Sequence, residues 1–124
     1  MYEISVEETF SSGHALRGYR GKCENPHGHN YRVRVALAGS TLDSIGLLYD
    51  FKELKAIIRD DTEKLDHQYL NDLPAFAAMN PSAENIARYL FDRIQSRLNT
   101  SSRGVTIRSV TVYETDTTAA VYTG

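Results

Sequence analysis

"HGHNYRVRVAL", residues 27–37, decides the fold of this chain. His27, His29, Tyr31, Val33, Val35 and Leu37 all fall on odd positions, which is the period of a strand with one face turned to a core. The two imidazoles therefore share a face with the apolar set. Histidines at i and i+2 on a strand project to the same side, about 6–7 Å apart, close enough to converge on one cation. At this level the pair is either two ligands or two polar residues at a strand entrance. Two features favour ligation. Gly28 removes bulk on the opposite side, and imidazoles on the apolar parity need partners to offset their burial.

Outward from this strand, residues 2–10 alternate as well, with Tyr2, Ile4, Val6 and Phe10 on one parity and Glu3, Ser5, Glu7 and Thr9 on the other, so a first strand is expected there. The polar, glycine-containing stretch 11–26 follows. After the second strand, "AGSTLDSIG" reads as a turn with an irregular connection, and "LLYDF" as a brief strand running into a helix. That helix is expected to start at the N-cap Asp50 with Glu53 as a box-like partner, and to end near Lys64. Its stripe would be Phe51, Leu54, Ile57, Ile58 and Leu65. A second helix should open near Pro81, capped by Asn80 or Ser82, with Ile86, Leu90, Ile94 and Leu98 along one face, and stop at "NTSSRG". "VTIRSVTVYETDTTAAVYTG" reads as two strands joined near Thr115–Thr118. The parity change between Ile107 and Val110 predicts a bulge near Ser109. The order ββααββ is α+β, most economically a four-stranded antiparallel sheet with both helices on one face.

The 124 residues fit a single domain, 1–124, and carry 16 acidic against 14 basic side chains for a net charge of −2. No charge block suggests nucleic-acid binding. No stretch approaches the roughly 18 apolar residues of a membrane span, and the acidic, alternating N-terminus is unlike a signal peptide, so a cytosolic (cytoplasmic) protein is expected. Cys23 is the only cysteine, which leaves it a free thiol.

The remaining candidates extend the chemistry. His14, in a glycine-flanked segment after the first strand, would lie beside His27 and His29 if the two strands form a hairpin, and three imidazoles with one open position suit catalytic Zn2+. Iron, nickel or copper would also accept them. His67 follows Asp66 at the end of the first helix. It either complements the helix dipole or shuttles protons, with Asp66 orienting it. A lone cysteine is ordinarily a small buried hydrophobe, yet Cys23 follows Arg17, Arg20 and Lys22, cations that favour a thiolate and could bind phosphates. Glu114 ends the apolar face of Val110 and Val112. It is either the first exposed residue past the strand or a carboxylate able to hold an amidine-like ring edge by two parallel N–H bonds. Glu84 reads as helix-dipole complementation.

In order, "FSSGHAL", "KCENPHGHNY", "YDFKELK", "LDHQYLN", "NPSAENIARYL" and "VTVYET" resemble, over almost the full length, the 6-pyruvoyl-tetrahydropterin synthase and 6-carboxy-tetrahydropterin synthase family. The resemblance implies a tunnelling fold (T-fold), in which trimers close a barrel of strands and two trimers stack as a homohexamer with active sites between subunits. It implies that His14, His27 and His29 bind zinc, that Cys23 is the proton-abstracting thiolate, that Asp66 and His67 relay protons, and that Glu114 anchors the pterin. The implied substrate is 7,8-dihydroneopterin triphosphate.

The three residues between Cys23 and His27 resemble the carboxy branch, which yields 6-carboxytetrahydropterin, acetaldehyde and triphosphate for queuosine and other deazapurines; the pyruvoyl enzymes of animals look longer here. Glu24, directly after the cysteine, resembles paralogues that cleave dihydroneopterin to the 6-hydroxymethyl pterin of folate synthesis. Outside catalysis, a metal- or pterin-binding module would keep the fold without needing Cys23, and a three-histidine hydrolase of another fold would need neither Glu114 nor the Asp66–His67 pair.

Overall fold

The computed structural model describes residues 1–98 and 104–124. Four strands, β1 (Tyr2–His14), β2 (His27–Gly39), β3 (Thr106–Thr115) and β4 (Thr118–Tyr122), form one antiparallel sheet in the order β1-β2-β3-β4. Helices α1 (Phe51–Leu65) and α2 (Ala83–Arg97) lie between β2 and β3 in the chain. The expected order ββααββ and four-stranded antiparallel sheet are both present.

The alternation explains the packing. Val6 and Phe10 of β1, Tyr31, Val33, Val35 and Leu37 of β2, and Ile107, Val110 and Val112 of β3 join Leu54 and Ile58 of α1 and Ile86, Leu90 and Ile94 of α2 in one apolar cluster. Each such side chain contributes about 1.5–3 kcal/mol on burial. Asp50 caps α1, its carboxylate accepting from Lys52 N–H at 2.7 Å and Glu53 N–H at 3.1 Å; Ser82 caps α2, its hydroxyl accepting from Asn85 N–H at 3.2 Å. The helices are also tied by charge. Asp61 of α1 is wholly buried and receives Arg93 Nε of α2 at 2.6 Å, together with Arg97.

The structure departs from the sequence reading in four places. β1 runs on to His14, because Ser11–His14 pairs with His27–Asn30, so the polar segment is ladder rather than loop. "LLYDF" is not a strand: the Asp43 carboxylate accepts from Ile45 and Leu47 N–H to form a turn, and Leu48 and Tyr49 bury themselves in the core without pairing. Phe51 is 54% exposed, whereas Leu54, about one turn further on, is wholly buried. Pro81 lies one residue outside the cap rather than in the first turn. The bulge falls where expected: Ala36 faces Ser109 and Leu37 faces Ile107, leaving Arg108 as the extra residue. The stop read into residues 99–104 lies almost wholly outside the described residues. α2 itself ends at Arg97, with Leu98 N–H bonded to Ile94 O.

Candidate metal centre

The hairpin of β1 and β2 assembles the histidines. His14 and His27 are directly opposed across the ladder, and His29 stands opposite Ser12, so one end of the hairpin carries all three rings. Their centroids are 4.5 Å (His14–His27), 5.1 Å (His14–His29) and 4.9 Å (His27–His29) apart, each pair edge to face. One possible ligand atom from each ring and one Glu114 carboxylate oxygen all lie within 4.8 Å of one another.

Two of the rings are aimed by carbonyls. His14 Nδ1 lies 2.7 Å from Pro81 O, and His27 Nδ1 lies 2.7 Å from Asn25 O. A carbonyl has no proton to give, so each Nδ1 carries the hydrogen and the opposite Nε2 presents its lone pair, the arrangement of a metal-binding imidazole. His14 is wholly buried, and its Nε2, like that of His29, is a buried nitrogen without a hydrogen bond of acceptable geometry among the described residues. Burial is the largest influence on the His29 ring and lowers its pKa; the Glu114 charge opposes this, and the other two imidazoles add to it. One buried and two partly buried imidazoles converging with a carboxylate fit a divalent cation.

Glu114 reaches this group through a second irregularity. Tyr113 pairs with Ala119 and Thr115 with Thr118, leaving Glu114 as the extra residue at the end of β3. Its Oε1 lies 2.8 Å from His29 Nε2 and 3.5 Å from His14 Nε2, although His29 Nε2 makes no hydrogen bond of acceptable angle. The carboxylate thus stands within reach of both nitrogens and completes a four-donor group. Glu114 also lines a cavity of about 170 Å³ with Ala83, Glu84 and Thr118–Ala120. Read from the sequence either as the first exposed residue past the strand or as a carboxylate for a ring edge, Glu114 lies both among the histidines and against open space. Tyr31 closes the back of the group, its buried hydroxyl unpartnered among the described residues, and burial followed by the Glu114 charge pushes its pKa well above the usual phenol value.

Asp66 and His67 meet: Nδ1 and Oδ2 are 2.8 Å apart. Asp66 caps the C-terminus of α1, and its Oδ1 accepts from Ser11 N–H at 2.8 Å. That bond, followed by His67, holds the carboxyl below the usual carboxylate range. His67 has φ +55°, its N–H donates to Ser11 O at 2.6 Å, and its side chain is 83% exposed. The ring stands on the rim of a cavity of about 360 Å³ whose lining includes Ser11–Gly13 and Gly28–Asn30.

Cys23 and Glu24 lie in a single 3-10 turn, Lys22–Glu24, with the thiol half-buried and the carboxylate exposed. Neither belongs to the four-donor group. Their turn touches it through the backbone, since the residue after Glu24 supplies the carbonyl that orients His27. Sequence reasoning missed these orienting carbonyls, and it missed Ser12, whose buried hydroxyl donates to Leu65 O. Ser12 shares the parity of Phe10 and His14, a signal that was present.

The sheet, the two helices and the donor group define a tunnelling-fold protein with a centre able to hold a metal ion. A match to the 6-pyruvoyl tetrahydropterin synthase family spans residues 3–124, and the chain belongs to that family, whose enzymes are lyases acting on pterins. It is 37% identical to the human 6-pyruvoyl tetrahydrobiopterin synthase, covering 98% of this chain and 91% of the relative, and 32% identical to the 6-carboxy-5,6,7,8-tetrahydropterin synthase of Bacillus subtilis, covering 98% and 84%. The 6-pyruvoyl tetrahydropterin synthase of Caenorhabditis elegans superposes with a TM-score of 0.88 at 29% identity, over 99% of this chain and 95% of that one.

Proposed function

We propose that this single-domain chain is a zinc-dependent 6-carboxy-5,6,7,8-tetrahydropterin synthase, converting 7,8-dihydroneopterin triphosphate to 6-carboxytetrahydropterin, acetaldehyde and triphosphate. The observation that carries the reading is the set of three imidazoles with the buried, idle Nε2 atoms of His14 and His29 turned toward a fourth donor. The three-residue gap between Cys23 and His27 favours the carboxy branch over the pyruvoyl one.

His14, His27 and His29 would hold the ion, which supplies a Lewis acid that acidifies the carbon beside a bound hydroxyl. Cys23, as thiolate, takes the proton from that carbon. His67, oriented by Asp66, returns protons as triphosphate departs; one water then adds to the remaining side-chain carbonyl, its oxygen staying in the new carboxylate while the two-carbon fragment leaves as acetaldehyde. Glu114 accepts the ring edge from the cavity that it lines. Arg17, Arg20 and Lys22 precede the thiol, as a triphosphate requires. The chain would work in the cytoplasm as a homohexamer with sites between subunits; β1 and β4 form the outer rows of the sheet, and Tyr2, Phe51 and Val121 are exposed. Among the described residues, no helix is long and apolar enough to cross a membrane.

A second reading rests on Glu24, exposed in the same turn as Cys23: cleavage of dihydroneopterin to a 6-hydroxymethyl pterin. One experiment tests both. The zinc-loaded protein is incubated with dihydroneopterin triphosphate and, separately, with dihydroneopterin, and the products are identified by mass. Acetaldehyde with a carboxylated pterin supports the first reading and a hydroxymethyl pterin the second; a pyruvoyl product would overturn the branch assignment, and no product from either would overturn both.

A further inference from the structure

Two asparagine side chains hold the segment after His14 as a neighbouring strand would. Asn71 Oδ1 accepts from Ala15 N–H at 2.9 Å, and its Nδ2 donates to Ala15 O at 2.9 Å. Asn80 makes the same pair with Arg17, Oδ1 accepting from the N–H and Nδ2 donating to the carbonyl, both at 2.9 Å. A carboxamide has the donor and acceptor of a peptide group, so each ring of two bonds imitates a rung of a ladder.

Leu16, between the two rungs, sends its N–H to Cys23 O at 2.8 Å. The far end of the same turn is held by His27 Nδ1 on Asn25 O at 2.7 Å. The turn carrying the thiol is thus slung between a metal-site histidine and a segment that the two asparagines hold at Ala15 and Arg17. Asn80 is itself fixed, its carbonyl accepting from Asn85 Nδ2 at 2.8 Å.

We propose that Asn71 and Asn80 are positioning residues that fix the Cys23 turn against the histidine group through the backbone of Ala15–Arg17. The catalytic consequence rests on the reading of Cys23 as the base. Alanine removes both bonds of a rung; aspartate keeps the acceptor but sets a carboxylate against a carbonyl.

The test uses zinc-loaded Asn71→Ala and Asn80→Ala proteins, with the parent and Asn80→Asp beside them. Three quantities are measured: zinc per chain, the rate at which iodoacetamide alkylates the sole cysteine, and kcat and KM with dihydroneopterin triphosphate. Zinc content should be retained, and alkylation should accelerate on the order of 10-fold as the turn comes loose. A misplaced thiol should lower kcat on the order of 100-fold while KM stays within about 2-fold, and Asn80→Asp should recover part of the loss. Parental alkylation rate and kcat in both alanine variants would overturn the proposal. If the alanine variants fail to fold, an unchanged alkylation rate in Asn80→Asp would overturn it equally. If instead Cys23→Ala turns over normally, the thiol is not the base, and accelerated alkylation in Asn80→Ala still upholds the brace.

Discussion

Glu114 Oε1 sits 2.8 Å from His29 Nε2, at the one place where β3 inserts an extra residue against β4. The bulge turns the last carboxylate of an apolar strand face in among three imidazoles.

This contact makes Glu114→Gln informative. If Glu114 holds the pterin edge as proposed, its charge-assisted bonds are lost, and kcat/KM should fall on the order of 100-fold or more, carried by KM. The three histidines remain, so zinc should still bind, weaker by about 10-fold. Equilibrium dialysis and steady-state kinetics measure both, and an unchanged KM would remove Glu114 from substrate recognition.

Cys23→Ala and His27→Ala should separate metal from chemistry. The thiol stands outside the donor group, so its removal should abolish turnover at full zinc occupancy by elemental analysis. His27→Ala should lose the metal, and full occupancy there would contradict the ligand set.

The Asp66 carboxyl, lowered in the fold, links stability to acid. A carboxylate whose folded pKa lies below its unfolded value of about 3.9 stabilises the protein above that value, and the contribution disappears as pH falls through the folded pKa. Asp66→Asn should therefore flatten the acid limb of thermal stability below about pH 4 and leave its slope near neutrality unchanged. Denaturation scans across pH measure this; an unaltered acid limb would refute it.

His67→Gly tests strain together with function. Glycine tolerates φ +55° but gains freedom in the unfolded chain, so the two effects nearly cancel, and stability should stay within about 1 kcal/mol of the parent. Turnover should drop steeply. A variant that melts early would show that the ring supports the fold rather than the reaction.

Asp61→Ala should cost about 2 kcal/mol in urea unfolding, because it removes the buried carboxylate that receives Arg93 and leaves a hole between the helices, while Arg97 keeps Asp60 at 2.6 Å.

The sheet and helices were legible because the alternations in β1 and β2 and the four-residue recurrence from Ile86 to Leu98 each match a single geometry. The bulge at Arg108 was legible for the same reason: a shifted parity has few other causes. "LLYDF" misled because a short apolar run is buried equally well by pairing or by docking, and only the Asp43 turn decides which. His14, His27 and His29 could be named from spacing and family likeness. The carbonyls of Asn25 and Pro81 could not, since a backbone oxygen carries no mark in the sequence. Glu114 was singled out, but its place among the rings depends on an insertion beside Tyr113 that no change of apolar parity announces.

The three histidines and Glu114 all stand on strands whose backbone pairing comes from neighbouring strands or the turn at Thr115–Thr118. The cage is therefore finished by folding, and loading is an event that happens to a completed molecule. Stripping with a chelator should leave a soluble, rechargeable reservoir, unlike small zinc modules that collapse when emptied.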